Sequence, residues 1–171
     1  MDEHKPGRDF PPNMVNVLRT SQQIHVALSQ MADQKANMLL AATFVVFTIT
    51  IGQAREAADP LPLLLLGAGA FFSAIFAVLA VLPAAHFHTG GDLNLLFFGS
   101  FSRLKESDFL ERVITELEDE ETAFRMMARD LYQNGVVLER KKYRLLGYAY
   151  RIFLAGLVAS GIAFVSGWVF T

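Results

Sequence analysis

Three stretches of the chain contain no Asp, Glu, Lys or Arg: residues 36–54 (ANMLLAATFVVFTITIGQA), 61–85 (LPLLLLGAGAFFSAIFAVLAVLPAA) and 152–171 (IFLAGLVASGIAFVSGWVFT). A bilayer core about 30 Å thick needs about 20 predominantly apolar residues in a helix, so each run is long enough to cross. The first run is preceded by polar and acidic sequence without a basic start or a small-residue cleavage site, and it reads as a retained span, not a signal peptide. Upstream of it, Val17, Ile24, Leu28 and Met31 recur at helical intervals. One helix is therefore expected from Asn13 to Gln53, and its 41 residues would extend about 60 Å. About half would project from the membrane as a stalk with an apolar stripe.

The short turn 55–60 carries Pro60 and closes the first two spans into an antiparallel hairpin. Beyond the second span, Leu95, Leu96, Phe97, Phe98 and Phe101 make the segment too apolar for a free loop, which places it along the headgroup interface or against the helices. Asp108 and Glu111 resemble a capping box. Leu110, Leu117, Phe124 and Leu131 then repeat every seven residues, with Ile114 and Ala128 between them, predicting a second helix with a packing seam. Asn134 and Gly135 signal a break, after which a basic stretch runs into the third span. The expected fold is an all-α membrane protein. It has three transmembrane helices and a helical cytoplasmic layer formed by the N-terminal stalk and the loop 84–149. Residues 1–12, with three prolines, read as a disordered lead-in, and 13–171 as a single membrane domain.

Composition supports this picture: 53% of the 171 residues are hydrophobic and 19% charged, against soluble averages of about 45–50% and about 25%. Four Lys or Arg precede the first span, Arg55 alone lies in the 55–60 turn, and ten lie between Arg103 and Arg151. Basic residues accumulate on the cytoplasmic side. The N-terminus and loop 84–149 are thus expected in the cytoplasm of a cell with this protein in its inner membrane, and the C-terminus outside. The absence of Cys removes disulfides and thiolate chemistry. Loop 84–149 holds nine basic against eleven acidic residues, so nucleic acid is not an expected partner.

Few residues offer chemistry. Ala155, Ala159, Ala163 and Gly167, with Gly156 and Ser160 adjoining, give the third span a smooth face, and Gly69, Ser73 and Ala77 do the same for the second. Such faces serve close helix packing, within one chain or between copies in a homo-oligomer. The basic cluster Arg140, Lys141, Lys142, Arg144 and Arg151 fits attraction to membrane lipid headgroups, or alternatively a bound anion. In the latter case Arg125 and Arg129, one helical turn apart, are equal candidates for a phosphate, with Arg103 able to join them. The acidic run Glu118 to Glu121 reads as a solvated helix face. His86 and His88 lack further ligands nearby, so no metal is expected, and no cofactor. No glycine-rich phosphate loop, serine elbow or zinc-helix motif is present, and the charge-free spans argue against a proton relay. An enzyme is not expected.

Three blocks, ADQKANMLLAATFVVFTI at 32–49, NLLFFGSFSRLKESDFLERV at 94–113 and DLYQNGVVLERKKYRLLGYAYRIFLAGL at 130–157, together make the chain resemble the membrane effectors of Pycsar antiphage systems. The resemblance implies an effector that responds to cyclic CMP or cyclic UMP, made by a partner cyclase during infection, and compromises the inner membrane so that the infected cell dies. On that basis the nucleotide is expected on the cytoplasmic helices, its base on Tyr132 or Tyr143 and its phosphate on Arg125, Arg129 or Arg140, with Arg103 a further contact. One departure is that the loop has helical periodicity and no room for a strand-rich cyclic-nucleotide domain. The competing reading is a scaffold that docks a cytoplasmic partner and shares only architecture with that family.

Overall fold

The computed structural model describes residues 11–82 and 93–170, without the side chains of Trp168 and Phe170. Its helices are α1 (Met14–Ala54), α2 (Leu61–Val81), α3 (Phe98–Phe101), α4 (Glu106–Leu117), α5 (Glu120–Val137) and α6 (Arg144–Phe170), with a π-helical turn Leu138–Tyr143 joining α5 to α6. Among the described residues there is no strand. Three helices are long and apolar enough to cross a membrane: α1, α2 and the continuous helix that ends in α6. The chain is an all-α membrane protein. The expected lead-in 1–12 falls largely outside the described residues, as do the end of the second span beyond Leu82, His86 and His88.

The contacts divide the chain into two compact units. The first to consider comprises 28–83 and 138–171 and holds the spans. Its interior is made mostly of alanines, Ala32 and Ala36 from α1, Ala77 and Ala80 from α2 and Ala149 from α6, with Leu39 and Leu146 between them. Large side chains such as Phe44, Phe72 and Phe164 face outward, where lipid would solvate them. This arrangement follows from the solvent: lipid tails are as apolar as Leu, so helices gain by approaching closely, and small residues permit that. A Cβ added to Gly69 would lie 2.7 Å from the Gly156 Cα, so α2 and α6 cross backbone to backbone there. Ser73 donates to the Ala149 carbonyl at 2.8 Å. The buried hydroxyls of Thr43 and Thr50 donate to carbonyls of their own helix, Leu39 and Val46, so both donors are satisfied in the apolar layer.

Two of the five residues of the basic cluster, Lys141 and Lys142, are held by protein groups within this unit. Lys142 reaches both carboxylate oxygens of Asp33 at 2.7 Å and the Ser29 hydroxyl at 2.7 Å. Lys141 donates to the Leu82 carbonyl at 2.7 Å, placing a cation on the C-terminal end of α2, where the helix dipole favours it. These two lysines are tied to protein groups, while Arg144 and Arg151 remain exposed.

The second unit comprises 1–27 and 84–137, and here four sequence expectations need correction. The α1 stripe is offset: in this unit Val17 and Ile24 are exposed while Leu18, Gln22 and His25 turn inward, and of its two members in the other unit Leu28 is half-buried and Met31 exposed. The inward face is set by Gln22, which hydrogen-bonds Asp130, and by packing of the His25 ring on Gly135. The predicted long seam is two helices, separated at Glu118 and Asp119, and Leu110, Ile114 and Leu117 are exposed. The cap is not Asp108: α4 starts at Glu106 after Lys105 with no side-chain cap. Asp119 caps α5, accepting from the Thr122 N–H at 2.8 Å and hydroxyl at 2.6 Å. The acidic run thus supplies a cap, and Glu120 and Glu121 occupy the first turn, where the dipole favours anions. Finally, Asn134 and Gly135 do not break the helix. Gly135 has no left-handed φ, and a Cβ there would come 3.1 Å from the His25 ring, so it serves close packing.

Candidate functional site

In the second unit α4 and α5 face each other through polar surfaces. Asp108, Glu111, Arg112, Thr115 and Glu116 recur at three- and four-residue intervals on one side of α4, and Thr122, Arg125, Met126 and Arg129 do so on α5. With Leu93, Asn94 and Leu95 they line a cleft of about 650 Å³, within the range of small-molecule sites. The α4 wall carries three carboxylates and one guanidinium, and the α5 wall two guanidiniums. Arg125 also bonds Glu121 one turn earlier, its Nε donating at 2.8 Å. That exposed pair fixes the side chain more than it stabilises the helix, since such pairs are worth about 0.3–0.5 kcal/mol.

The end of the cleft near Asn94 is anchored by a buried carboxylate. Asp130, 6% exposed, accepts from Gln22 at 3.1 Å, Asn94 at 3.0 Å and Asn134 at 2.9 Å. Asn94 donates also to Gln133 at 2.8 Å and accepts the Leu96 N–H at 2.9 Å. Three amide donors supply what a buried anion requires. The network ties α1, the 94–96 segment and α5 together, and through it the cleft-lining Asn94 is fixed to α5. The apolar segment leading to α4 lies against helices in this unit, with Leu95 and Ser100 buried and Phe98 exposed.

Of the sequence-predicted ligand residues, the cleft brings together Arg125 and Arg129. Arg103 is exposed in the turn after α3 and Tyr132 is 71% exposed on α5; neither lines the cleft. Arg140 and Tyr143 belong to the unit that holds the spans, Arg140 beside Glu139 and Tyr143 donating to the Leu28 carbonyl at 3.3 Å. Arg112 was missed. Its signal was the polar periodicity of 108, 111, 112, 115 and 116, which the apolar positions between them overshadowed. Asp130 was missed as well, because a lone acid in a charged stretch reads as solvated.

The proposed packing faces are placed as follows. Gly69, Ser73 and Ala77 are buried on α2. On α6 the contact runs through Gly156 and Ala149, while Ala155 is exposed and Ala159, Ala163 and Gly167 are half-buried. A groove of about 900 Å³ in the same unit, lined by residues such as Gln53, Asp59, Pro62, Leu157, Ser160 and Phe164, has no cationic side chain to hold a phosphate.

Compared with known proteins, residues 16–167 match the family model PycTM, described as the Pycsar effector protein domain. No curated protein and no solved structure matches the chain.

Proposed function

Because this chain belongs to the Pycsar effector family and is thereby an antiphage defence effector, we propose that a cyclic pyrimidine nucleotide, cyclic CMP or cyclic UMP from a partner cyclase, triggers it to impair the inner membrane. Death of the infected cell follows and limits the phage. The family is one of effectors and not, in general, of catalysts, and the chain acts by a change of state rather than a reaction. The observation that carries this reading is the meeting of Arg112, Arg125 and Arg129 on one cleft of mononucleotide size in a unit outside the spans. Guanidiniums in such a cleft suit a phosphate through charge-assisted hydrogen bonds.

In this reading the loop is cytoplasmic, as the distribution of Lys and Arg supports, and the nucleotide enters from that side. To move the protein from 1:99 to 99:1 active, the ligand must favour the active state by about 5.5 kcal/mol. One phosphate held by two or three arginines, with a base contact, is enough. Reorientation of α4 and α5 is passed along helices that continue into the spans, and copies then associate through α6. Ala155 is exposed on α6 and, among the described residues, a Cβ at Gly161 would meet nothing within 4 Å, so α6 keeps small positions at which a second copy has room to approach.

Titration calorimetry of the detergent-purified full chain tests the sensor step. Micromolar binding of cyclic CMP or cyclic UMP is expected, weakened at least about tenfold by Arg125→Ala with Arg129→Ala, as loss of charged hydrogen bonds worth about 1.5–3 kcal/mol requires. Absence of binding by both nucleotides contradicts the reading.

A further inference from the structure

We propose that α1 is an interface between copies of this chain: two copies lie parallel and pair through a heptad seam along that helix, whether or not a nucleotide is bound. Val17, Ile24, Met31, Met38 and Val45 recur every seven residues along α1. Val17 and Ile24 are exposed in one unit, and Met31, Met38 and Val45 in the other. The positions three residues after each, 20, 27, 34, 41 and 48, are Thr, Ala or Gln and are exposed as well. Alternating steps of three and four residues make a 3.5-residue period, which is the seam of a left-handed coiled coil. In the unit that holds the spans, Ala32, Ala36 and Leu39 of α1 are the buried positions, and the seam lies apart from them.

The exposed face of a solvated helix ordinarily carries charge. Here Arg19, Asp33 and Lys35 are the only Asp, Glu, Lys or Arg in α1, and none of them stands in the seam. Copies inserted under the same charge rule share one orientation, so their α1 helices run parallel. In that register Lys35, beside the seam, faces Gln30 of the second copy, and no like charges meet.

The occupant follows from the course of the stripe. It begins outside the apolar run, at Val17 and Ile24, where lipid does not reach, and its spacing continues into that run at Met38 and Val45. Whatever covers it must itself be a helix that passes from water into lipid at the same height. A second copy meets this requirement at every position, because a two-fold interface sets the same patch against itself. The β-branched Val17, Ile24 and Val45 at the first seam position favour two strands. Gln34 adds a polar point: its amide both donates and accepts, so it can pair with an identical amide. A polar side chain inside such a seam fixes register and strand number.

The chain has no Cys, so single introduced thiols report on one position each. Full-length Val17→Cys, Ile24→Cys and Val26→Cys are expressed in membranes without any cyclase and oxidised with copper phenanthroline. Val26 is as exposed as Ile24, 56% against 53%, but lies about 200° further round the helix. A disulfide needs Cα atoms roughly 4.4–6.8 Å apart, a separation open to opposed seam positions and closed to Val26. The expected result is a reducible product of twice the chain mass that dominates for Val17→Cys and Ile24→Cys and is lost for Val26→Cys. Three results would each overturn the interface: monomer at all three positions, as much dimer at Val26 as at Ile24, or an adduct of another mass that shows a different protein on the stripe. With no nucleotide present, each of them leaves the nucleotide reading standing.

Discussion

Gly69 and Gly156 each lie where a Cβ would strike the other's Cα, at 2.7 and 2.8 Å. Backbone cannot yield as a flexible side chain can. Gly69→Ala is expected to push α2 from α6 and destabilise the spans by about 1–3 kcal/mol, as overpacking does. Gly161→Ala, at a position with nothing within 4 Å, is the matched control and should leave the melting temperature in detergent unchanged or raised. Equal melting temperatures for the two variants would contradict the close crossing. The α2 side of this contact is visible in the sequence, because Gly69, Ser73 and Ala77 repeat every four residues as membrane helix packing demands. The α6 side is visible less sharply: Gly156 adjoins the series Ala155, Ala159 and Ala163 within one smooth face, and the contact runs through Gly156 and not through Ala155. Spacing alone cannot say which edge of such a face meets the neighbour.

At the scale of elements, the boundary between α4 and α5 depends on one side chain. Hydrogen bonds from the Thr122 hydroxyl first, and then from the Thr122 and Glu121 backbone N–H groups, hold the Asp119 carboxyl below its ordinary value, against a small opposing effect of burial. A depressed folded-state pKa means the cap is at full strength above the ordinary carboxylate range and is lost as pH falls through the folded value. Hydrogen exchange in the first turn of α5 should accelerate across that acidic window, and Asp119→Ala should show the fast rate at neutral pH with no such dependence. An identical pH profile in both proteins would refute the capping role. This boundary was hidden in the sequence by a strong competing pattern. The seven-residue repeat through Leu110, Leu117, Phe124 and Leu131 predicts one helix, yet polar contacts decide the packing and leave Leu110 and Leu117 exposed. The length of α1 was legible to within a residue at each end, because a charge-free run and an uninterrupted approach to it leave a helix little alternative. Gln22 and His25, not the apolar stripe, set its rotation.

At the scale of the molecule, the chain combines three apolar helices with a unit that carries a charged cleft, and the two are joined by α1 and by the π-helical turn between α5 and α6. The spans could be read from hydropathy because lipid imposes a simple requirement on every residue they contain. The cleft could be read only in part. Arg125 and Arg129 are one turn apart and so share a face in any helix, whereas the polar periodicity that places Arg112 on one face of α4 does not say that this face meets α5. The central claim, that a cyclic pyrimidine nucleotide converts this chain into an agent of membrane damage, is tested most directly by the membrane potential of cells expressing it with an inducible pyrimidine cyclase. Depolarisation after cyclase induction, absent in cells carrying the Arg125→Ala, Arg129→Ala protein, is the predicted result. An unchanged potential in cells with the wild-type protein and accumulated cyclic nucleotide would contradict the account.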